Sequence, residues 1–435
     1  LVLILIFFII FNGTFKVVLA VIFAYNIITM SKKKTVYKLK KNKQEGKAKK
    51  GFWKEWGETI VFVLIVVPLI QTLIFQSYAI PTSSMESSML VGDKLFVSKL
   101  HYGPRIPQTP IALPFLHNQI PFSGAKCYSE LVSLPYMRLP GFSSIDNKDI
   151  VVFNWPDGDT TTFEYQSTVS YRYLTRMMGE AEVDRRYTVM TRPVDRRDNY
   201  VKRCLAIAGD SLQIIEGNVY INGKLQSPPE NVQHLHIVST NGNPIRKKFF
   251  IEMDLGSTEY KKTGVNTYEV HLSEAKAEKF RALTNVTNVE KVIHPKGKGD
   301  PNIFPNAKGM DWNVDNFGPI WIPQKGATIQ LDSANIVMYS RAIKAYEDNE
   351  GYIVKNGQAY MDGEPINEYT FKMDYYWMMG DNRHNSQDSR VWGYVPEDHI
   401  VGTPIFVWLS NKGEDVSWGN LFSKIRWDKT FRIPK

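Results

Sequence analysis

Two stretches far apart in the chain have residue types and settings that could do chemistry together. One is the serine-bearing loop Ile80-Pro81-Thr82-Ser83-Ser84-Met85, directly after a membrane-length apolar run. The other is Tyr200-Val201-Lys202-Arg203, with its lysine on an apolar stretch with strand character. A serine hydroxyl is a poor nucleophile until a base takes its proton, and lysine is a base only when neutral. Burial among apolar groups disfavours the ammonium and lowers its pKa. That brings lysine into the range of a general base near neutrality. Serine–lysine pairs are an alternative to Ser-His-Asp, and acyl transfer also needs N–H or O–H donors for the oxyanion. The order, spacing and membrane context point to a hydrolase acting on something that emerges from a bilayer.

Other residue types give weaker signals. A serine in a serine-rich loop usually serves only as a turn residue, so residue type alone leaves Ser83, Ser84, Ser87 and Ser88 as candidates. The histidines show no HExxH spacing and the acidic residues no metal-loop pattern. Cys127 and Cys204 form no CxxC pair and have no histidine partners nearby, so no zinc site is expected. The expectation is therefore no metal and no cofactor, with the two cysteines either buried free thiols, the plainer reading, or a disulfide, which an oxidising compartment allows. Alternation places Cys204 on the same strand face as Lys202. His384 invites a histidine-based triad with Ser386.

The elements that must position these groups begin with the membrane. Residues 59–80 include Ile60 to Ile80, IVFVLIVVPLIQTLIFQSYAI, with no charge and about the length of a spanning helix. Pro68 and Gln71 are tolerable there. The net charge is +9. The stretch Ser31 to Glu58 holds eleven lysines against Glu45, Glu55 and Glu58, so this one tail, not a folded face, holds nearly all of it. That excludes a nucleic-acid footprint. With Trp53 and Trp56 at the interface, the tail stays cytoplasmic and the chain after Ile80 lies outside. Residues 1–29 admit three readings: a second spanning helix, a signal-like anchor, or translated non-coding sequence ahead of a true start at Met30. A secretory signal peptide is disfavoured, because no charged region precedes the apolar stretch.

Beyond the membrane segment, short β-like runs recur with turn signals. They include Lys94 to Lys99, Ile150 to Phe153 and Tyr200 to Ile207. A hairpin spans Ser211 to Lys224 with turns at Gly217-Asn218 and Asn222-Gly223, and further turns fall at Asn356-Gly357 and Asp362-Gly363. Residues 103–145, rich in proline and aromatics, read as extended or loop-like, and part of them is a candidate for touching the membrane surface. Trp408, Trp418 and Trp427 are either core or further membrane contacts. Ser273 to Thr284 carries a helix start signal. The expected division is 1–29 apolar extension, 30–58 basic cytoplasmic tail, 59–80 transmembrane helix, 81–230 and 316–435 two parts of a catalytic β domain, and 231–315 an α+β insertion. The fold class is mainly β.

At these residues a family resemblance enters. Pro81-Thr82-Ser83-Ser84-Met85 resembles the nucleophile box of bacterial type I signal peptidases, Pro-Ser-x-Ser-Met. Tyr200 to Arg203 with Ala208-Gly209-Asp210 resembles their general-base box, and Asp149 to Phe153 the strand box between them. Gly380 to Arg390, GDNRHNSQDSR, continuing into Trp392-Gly393-Tyr394-Val395-Pro396, resembles the last box. The boxes keep the family's order, over roughly 59–230 and 316–410. The resemblance implies Ser84 as nucleophile, Lys202 as general base and Ser386 as the group orienting the lysine. It implies an oxyanion hole from the Ser84 N–H and the hydroxyl of Thr82, where serine is commoner. It also implies a supporting ion-pair network of Asp381, Arg383, Asp388 and Arg390. Shallow pockets for small residues at −1 and −3 would be lined by Ile80, Pro81, Met85 and Val201. Two departures stand out, a long linker at 154–198 and the insertion.

The reading is a membrane-bound serine endopeptidase on the outer face of the cytoplasmic membrane. It would remove signal peptides from preproteins, beside the lipid bilayer and near the protein export machinery. A self-cleaving repressor-type protease predicts a cytosolic chain with a DNA-binding module, against the membrane segment. An inactive membrane-tethered binding or assembly protein of the same fold is the alternative, and it gives no reason to keep Ser84, Lys202 and Ser386 together.

Overall fold

A computed structural model of the chain describes residues 52–158, 160–256, 258–307, 309–412 and 423–434. The extension 1–29, most of the basic tail, the side chains of Trp53 and Trp56, and Trp418 lie outside the described residues. The architecture is mainly β. The chain divides into two compact units. Of the described residues, one gathers those up to Ala79, those of Gly92–Phe142 and those of Pro404–Ile433, and the other those of Ile80–Val91 and Ser143–Thr403.

In the first unit, the apolar run forms a helix, Phe52–Leu73, containing Pro68. Its described apolar side chains Ile60, Val61, Leu64, Ile65 and Leu69 are exposed, while Val63 and Val67 pack with Phe115. The expected helical span to residue 80 is corrected here. The helix stops at Leu73, and Phe75–Ala79 is a strand paired antiparallel with Asp93–Ser98, Ser77 opposite Phe96. Polar side chains decide this. Gln76 accepts from Lys99 Nζ (3.0 Å) and the Tyr78 hydroxyl (2.9 Å), and Ser77 accepts from Trp408 Nε1 (3.1 Å). Hydrocarbon offers none of these partners. Among the described residues no helix is long and apolar enough to cross a membrane. Residues 103–142 form loops held by isolated bridges and leave Phe122, Leu131 and Phe142 exposed.

The second unit is built around the strand Asn199–Ala206. Ile150–Asn154 pairs with it on one side, Val151 opposite Lys202, and Tyr375–Met379 on the other, Met379 opposite Arg203. Val395–Pro396 pairs with Tyr375–Met379, and Ile400 lies opposite Phe153. A hairpin, Ser211–Ile215 with Asn218–Ile221, pairs with Phe317–Trp321. Leu205, Leu212, Ile214, Phe317, Trp377 and Tyr394 belong to one buried core with it.

The tight turns follow their dipeptides. Asn222-Gly223, Asn356-Gly357 and Asp362-Gly363 all have positive φ at both positions, as a type I′ hairpin requires. The turn expected at Gly217-Asn218 is shifted by one residue. Glu216 and Gly217 take the positive φ values, and Ile215 pairs with Asn218.

A separate antiparallel sheet, Tyr260–Lys262, Thr267–Leu272, His234–Thr240 and Val286–Lys291 in that order, carries its own core of Val238, Phe250, Val270, Leu272, Ala277 and Phe280. The helix expected near Ser273 is Glu274–Arg281, with Ser273 Oγ accepting from the Lys276 N–H. Helices Tyr171–Met178 and Glu180–Arg186 occupy the stretch expected to be a linker. Cys127 and Cys204 are both buried, and neither forms a disulfide among the described residues.

Candidate active site

Ser84 sits in a one-turn 3-10 segment, Ser83–Met85, entered through extended backbone at Thr82 (φ −128°, ψ 156°). Proline at 81 cannot donate a backbone hydrogen bond and favours extended geometry, so the chain turns only after Thr82. Met85 is fully buried and Ile80 nearly so, and these two apolar side chains hold the turn down. Ser84 itself is buried, at 8% exposure.

Lys202 reaches Ser84 from the central strand. Its Nζ donates to Ser84 Oγ at 2.6 Å and to the Val201 carbonyl at 3.2 Å. Its side chain is buried, and the Tyr200 ring lies 5.6 Å from the ammonium. Burial pushes its pKa down to about 8, against the pull of Asp388 and Asp381, which favour the charged form. The pair therefore has the distance and the proton affinity that a hydroxyl nucleophile and its base require.

Strand alternation sends the next residue the other way. Arg203 makes a two-point pair with Asp381, Nε to Oδ1 at 2.8 Å and Nη2 to Oδ2 at 2.7 Å, and Ser88 Oγ donates to the same carboxylate at 2.5 Å. Arg390 pairs with Asp388, Nη2 to Oδ2 at 2.7 Å and Nε to Oδ1 at 2.9 Å. Burial alone would raise the Asp388 carboxyl, but Arg390 offsets this and holds it below the usual range.

The four residues expected to form one network are thus distributed differently. Asp381 takes Arg203, whose role sequence reasoning missed because an arginine after a lysine reads as a solvated pair. Arg383 makes no ion pair among the described residues, and its buried Nε has no hydrogen-bond partner. Burial and then Arg390 lower its pKa to about 10. Its backbone N–H bonds Gln233, and its carbonyl accepts from Arg390 Nη2.

Ser386 does not reach the lysine. Its hydroxyl donates to the Gln387 carbonyl at 3.4 Å. It remains close to the nucleophile turn through Gly380. A Cβ at Gly380 would collide with the Ser386 side chain and come within 2.7 Å of the Ser84 carbonyl. Thr82 and Pro81 are exposed, Val201 is half-buried, and the Thr82 side chain makes no capping hydrogen bond.

Nitrogen and oxygen atoms of His234, Asp315 and His384 lie within 4.8 Å of one another. A metal-bound imidazole needs an N–H on its other nitrogen to donate outward. His384 Nδ1 instead accepts the Leu235 N–H at 3.1 Å, so the proton is on Nε2, which donates to Asp315 Oδ2 at 3.0 Å. That same oxygen also takes the backbone N–H and Nδ1 of His294. The donor set fits a hydrogen-bonded cluster and not a cation, and it engages His384 away from Ser386.

The family profile described as signal peptidase, peptidase S26, matches residues 53–290 and 325–409. The chain belongs to that family. The match runs through the separate sheet as well as the central strands, and breaks between 290 and 325. A protein named signal peptidase I from Helicobacter pylori (strain ATCC 700392 / 26695) is 25% identical over 387 residues, covering 88% of this chain and 91% of the relative. Another of that name from Buchnera aphidicola subsp. Baizongia pistaciae is 23% identical over 360 residues, covering 82% and 76%. One from Aquifex aeolicus is 55% identical over 38 residues, covering 9% of this chain and 15% of the relative. The S26 membership supports a peptidase that processes signal peptides.

Proposed function

We propose that this S26 peptidase cleaves signal peptides from exported preproteins by a Ser84 nucleophile and a Lys202 general base. The observation that carries the reading is the 2.6 Å contact between the Lys202 amine and the Ser84 hydroxyl inside a buried site, with the lysine pKa near 8. In the neutral lysine, the amine lone pair takes the Ser84 proton as Oγ attacks the scissile carbonyl. The resulting ammonium returns a proton to the leaving amine, and water then hydrolyses the acyl-enzyme with Lys202 again as base.

The oxyanion is met by the Ser84 N–H and the Thr82 hydroxyl. An N–H in the first turn of a helical segment has no acceptor within that segment, and the Thr82 hydroxyl makes no capping bond. Ile80, Pro81, Met85 and Val201, the chain neighbours of Ser84 and Lys202, are the residues assigned to shallow pockets that restrict positions −1 and −3 to small side chains. The extended backbone at Thr82 suits an extended substrate laid alongside by β-addition. Asp381, Arg383, Asp388 and Arg390 hold the last box in place, and Ser386 belongs to the same support.

The exposed apolar side chains of Phe52–Leu73 support attachment to the cytoplasmic membrane. Anchoring raises the local concentration of enzyme beside a substrate's apolar segment.

The test is cleavage of a signal-peptide substrate by detergent-solubilised full-length protein. Wild type cuts after a small residue, and Ser84→Ala and Lys202→Ala lose cleavage. Retained cleavage in either variant overturns the dyad, and no cleavage by wild type favours a tethered binding protein of the same fold.

A further inference from the structure

We infer that Gln233 is a positioning residue for Ser84, acting from the separate sheet. The inference rests on the serine–lysine reading of the site. Gln233 is fully buried just ahead of the strand His234–Thr240. Its backbone bonds the last box twice. Its N–H donates to the Asp381 carbonyl at 2.8 Å, and its carbonyl accepts from the Arg383 N–H at 2.9 Å, a parallel bridge to Asn382. Its side chain reaches the nucleophile segment, with Nε2 donating to Ser87 Oγ at 2.7 Å and to Glu259 Oε1 at 3.3 Å. Asn382 in turn donates its backbone N–H to the Ser84 carbonyl at 3.0 Å. The result is a closed ring running from Ser84 to Asn382, across to Gln233, and back through Ser87.

Ser87 is the strained link in that ring. Its φ is +73°, the left-handed region, which a non-glycine residue holds only when its surroundings over-determine it. Ser87 follows the Ser83–Met85 turn directly after Glu86, so relaxing it swings the turn that aims Ser84. The Gln233 amide is the side-chain donor on the Ser87 hydroxyl. Glu259 fixes that amide in turn. It is buried and receives the Gly256 N–H on Oε2 at 2.7 Å, leaving Oε1 for Gln233. Gln233 Oε1 has no hydrogen-bond partner, so the side chain acts only as a double donor. A carboxylate at 233 would supply no donor and would face the Glu259 carboxylate.

The experiment measures kcat, KM and Tm on the detergent-solubilised full chain with a signal-peptide substrate. Gln233→Ala lowers kcat by about 10- to 100-fold, since small misplacements of reacting groups carry such penalties, while KM stays within about threefold. Gln233→Glu is at least as impaired. Two double variants separate positioning from general stability. Gln233→Glu with Glu259→Gln restores a donor–acceptor pair of the same shape between the two positions, the Ser87 hydroxyl turns to donate to the carboxylate, and kcat recovers to within about threefold of wild type. Gln233→Ala with Ser87→Gly recovers most of the loss, because glycine adopts positive φ without help. Wild-type kcat in Gln233→Ala overturns the inference. So do double variants that recover Tm but not kcat. Ser84→Ala is run alongside. Cleavage retained there overturns the dyad itself, whereas cleavage lost there with kcat unchanged in Gln233→Ala overturns only the positioning role.

Discussion

Arg203 and Asp381 form a two-point ion pair sealed from solvent, their side chains 6% and 0% exposed. Arg203 follows Lys202 in the chain, and Asp381 follows Gly380, so the pair joins the strand carrying the amine to the box packed against Ser84. Arg203 Nη1 also donates to the Lys148 carbonyl at 2.8 Å. Removing one partner leaves the other charged and buried. Asp381→Ala is therefore expected to lose about 3–5 kcal/mol of stability. The double variant Arg203→Met with Asp381→Leu, which buries no charge, is expected to be more stable than Asp381→Ala alone. Denaturant midpoints of the three proteins check this, and a double variant no better than the single would refute it.

The parts of the fold and of the candidate site that were legible in the sequence share one property: they depend on residue type and local spacing. Ser84 and Lys202 stand in long boxes, and the Asn-Gly and Asp-Gly turns answer to the positive φ a tight hairpin demands. Ser273 is a cap whose partner is three residues away. What was hidden depends on pairing across the fold. The helix end at Leu73 is set by the strand partners of Gln76 and Ser77, and hydropathy alone runs on to Ile80. Arg203 and Gln233 have no pattern that marks them, since their partners lie 178 and 146 residues away. Tyr171–Met178 and Glu180–Arg186 are too short for a period to separate them from a loop.

On the proposed mechanism, a Lys202 base with a pKa near 8 sets the pH profile of cleavage. Below about pH 8 the amine is mostly protonated and cannot take the Ser84 proton, so activity rises with pH and levels off above that value. At pH 6 about one-hundredth of the lysine is neutral, and the rate is expected to be about one-hundredth of its plateau. The pH dependence of kcat/KM, measured between pH 6 and 9.5 with a signal-peptide substrate, reads the free enzyme's base. A flat profile, or one falling across this range, would sink the assignment of Lys202 as base.

Keeping Lys202 buried works against the fold, and that cost has its own pH signature. The folded-state pKa, about 8, lies below the ordinary lysine value of 10.5. Between those two values the unfolded chain holds the extra proton, so stability rises with pH across the window. Below about pH 8 the full penalty is present, and above about 10.5 it is gone. Lys202→Met keeps an unbranched side chain of similar length without the charge. It is expected to abolish cleavage yet raise Tm at pH 7, with its advantage shrinking as pH approaches 10. Thermal melts of both proteins from pH 7 to 10 check this, taking the difference between the two at each pH. A Met variant that melts below wild type at pH 7, or whose advantage does not narrow with pH, contradicts a desolvated lysine at this position. The outcome predicted here is instead a residue retained for its chemistry at the expense of stability.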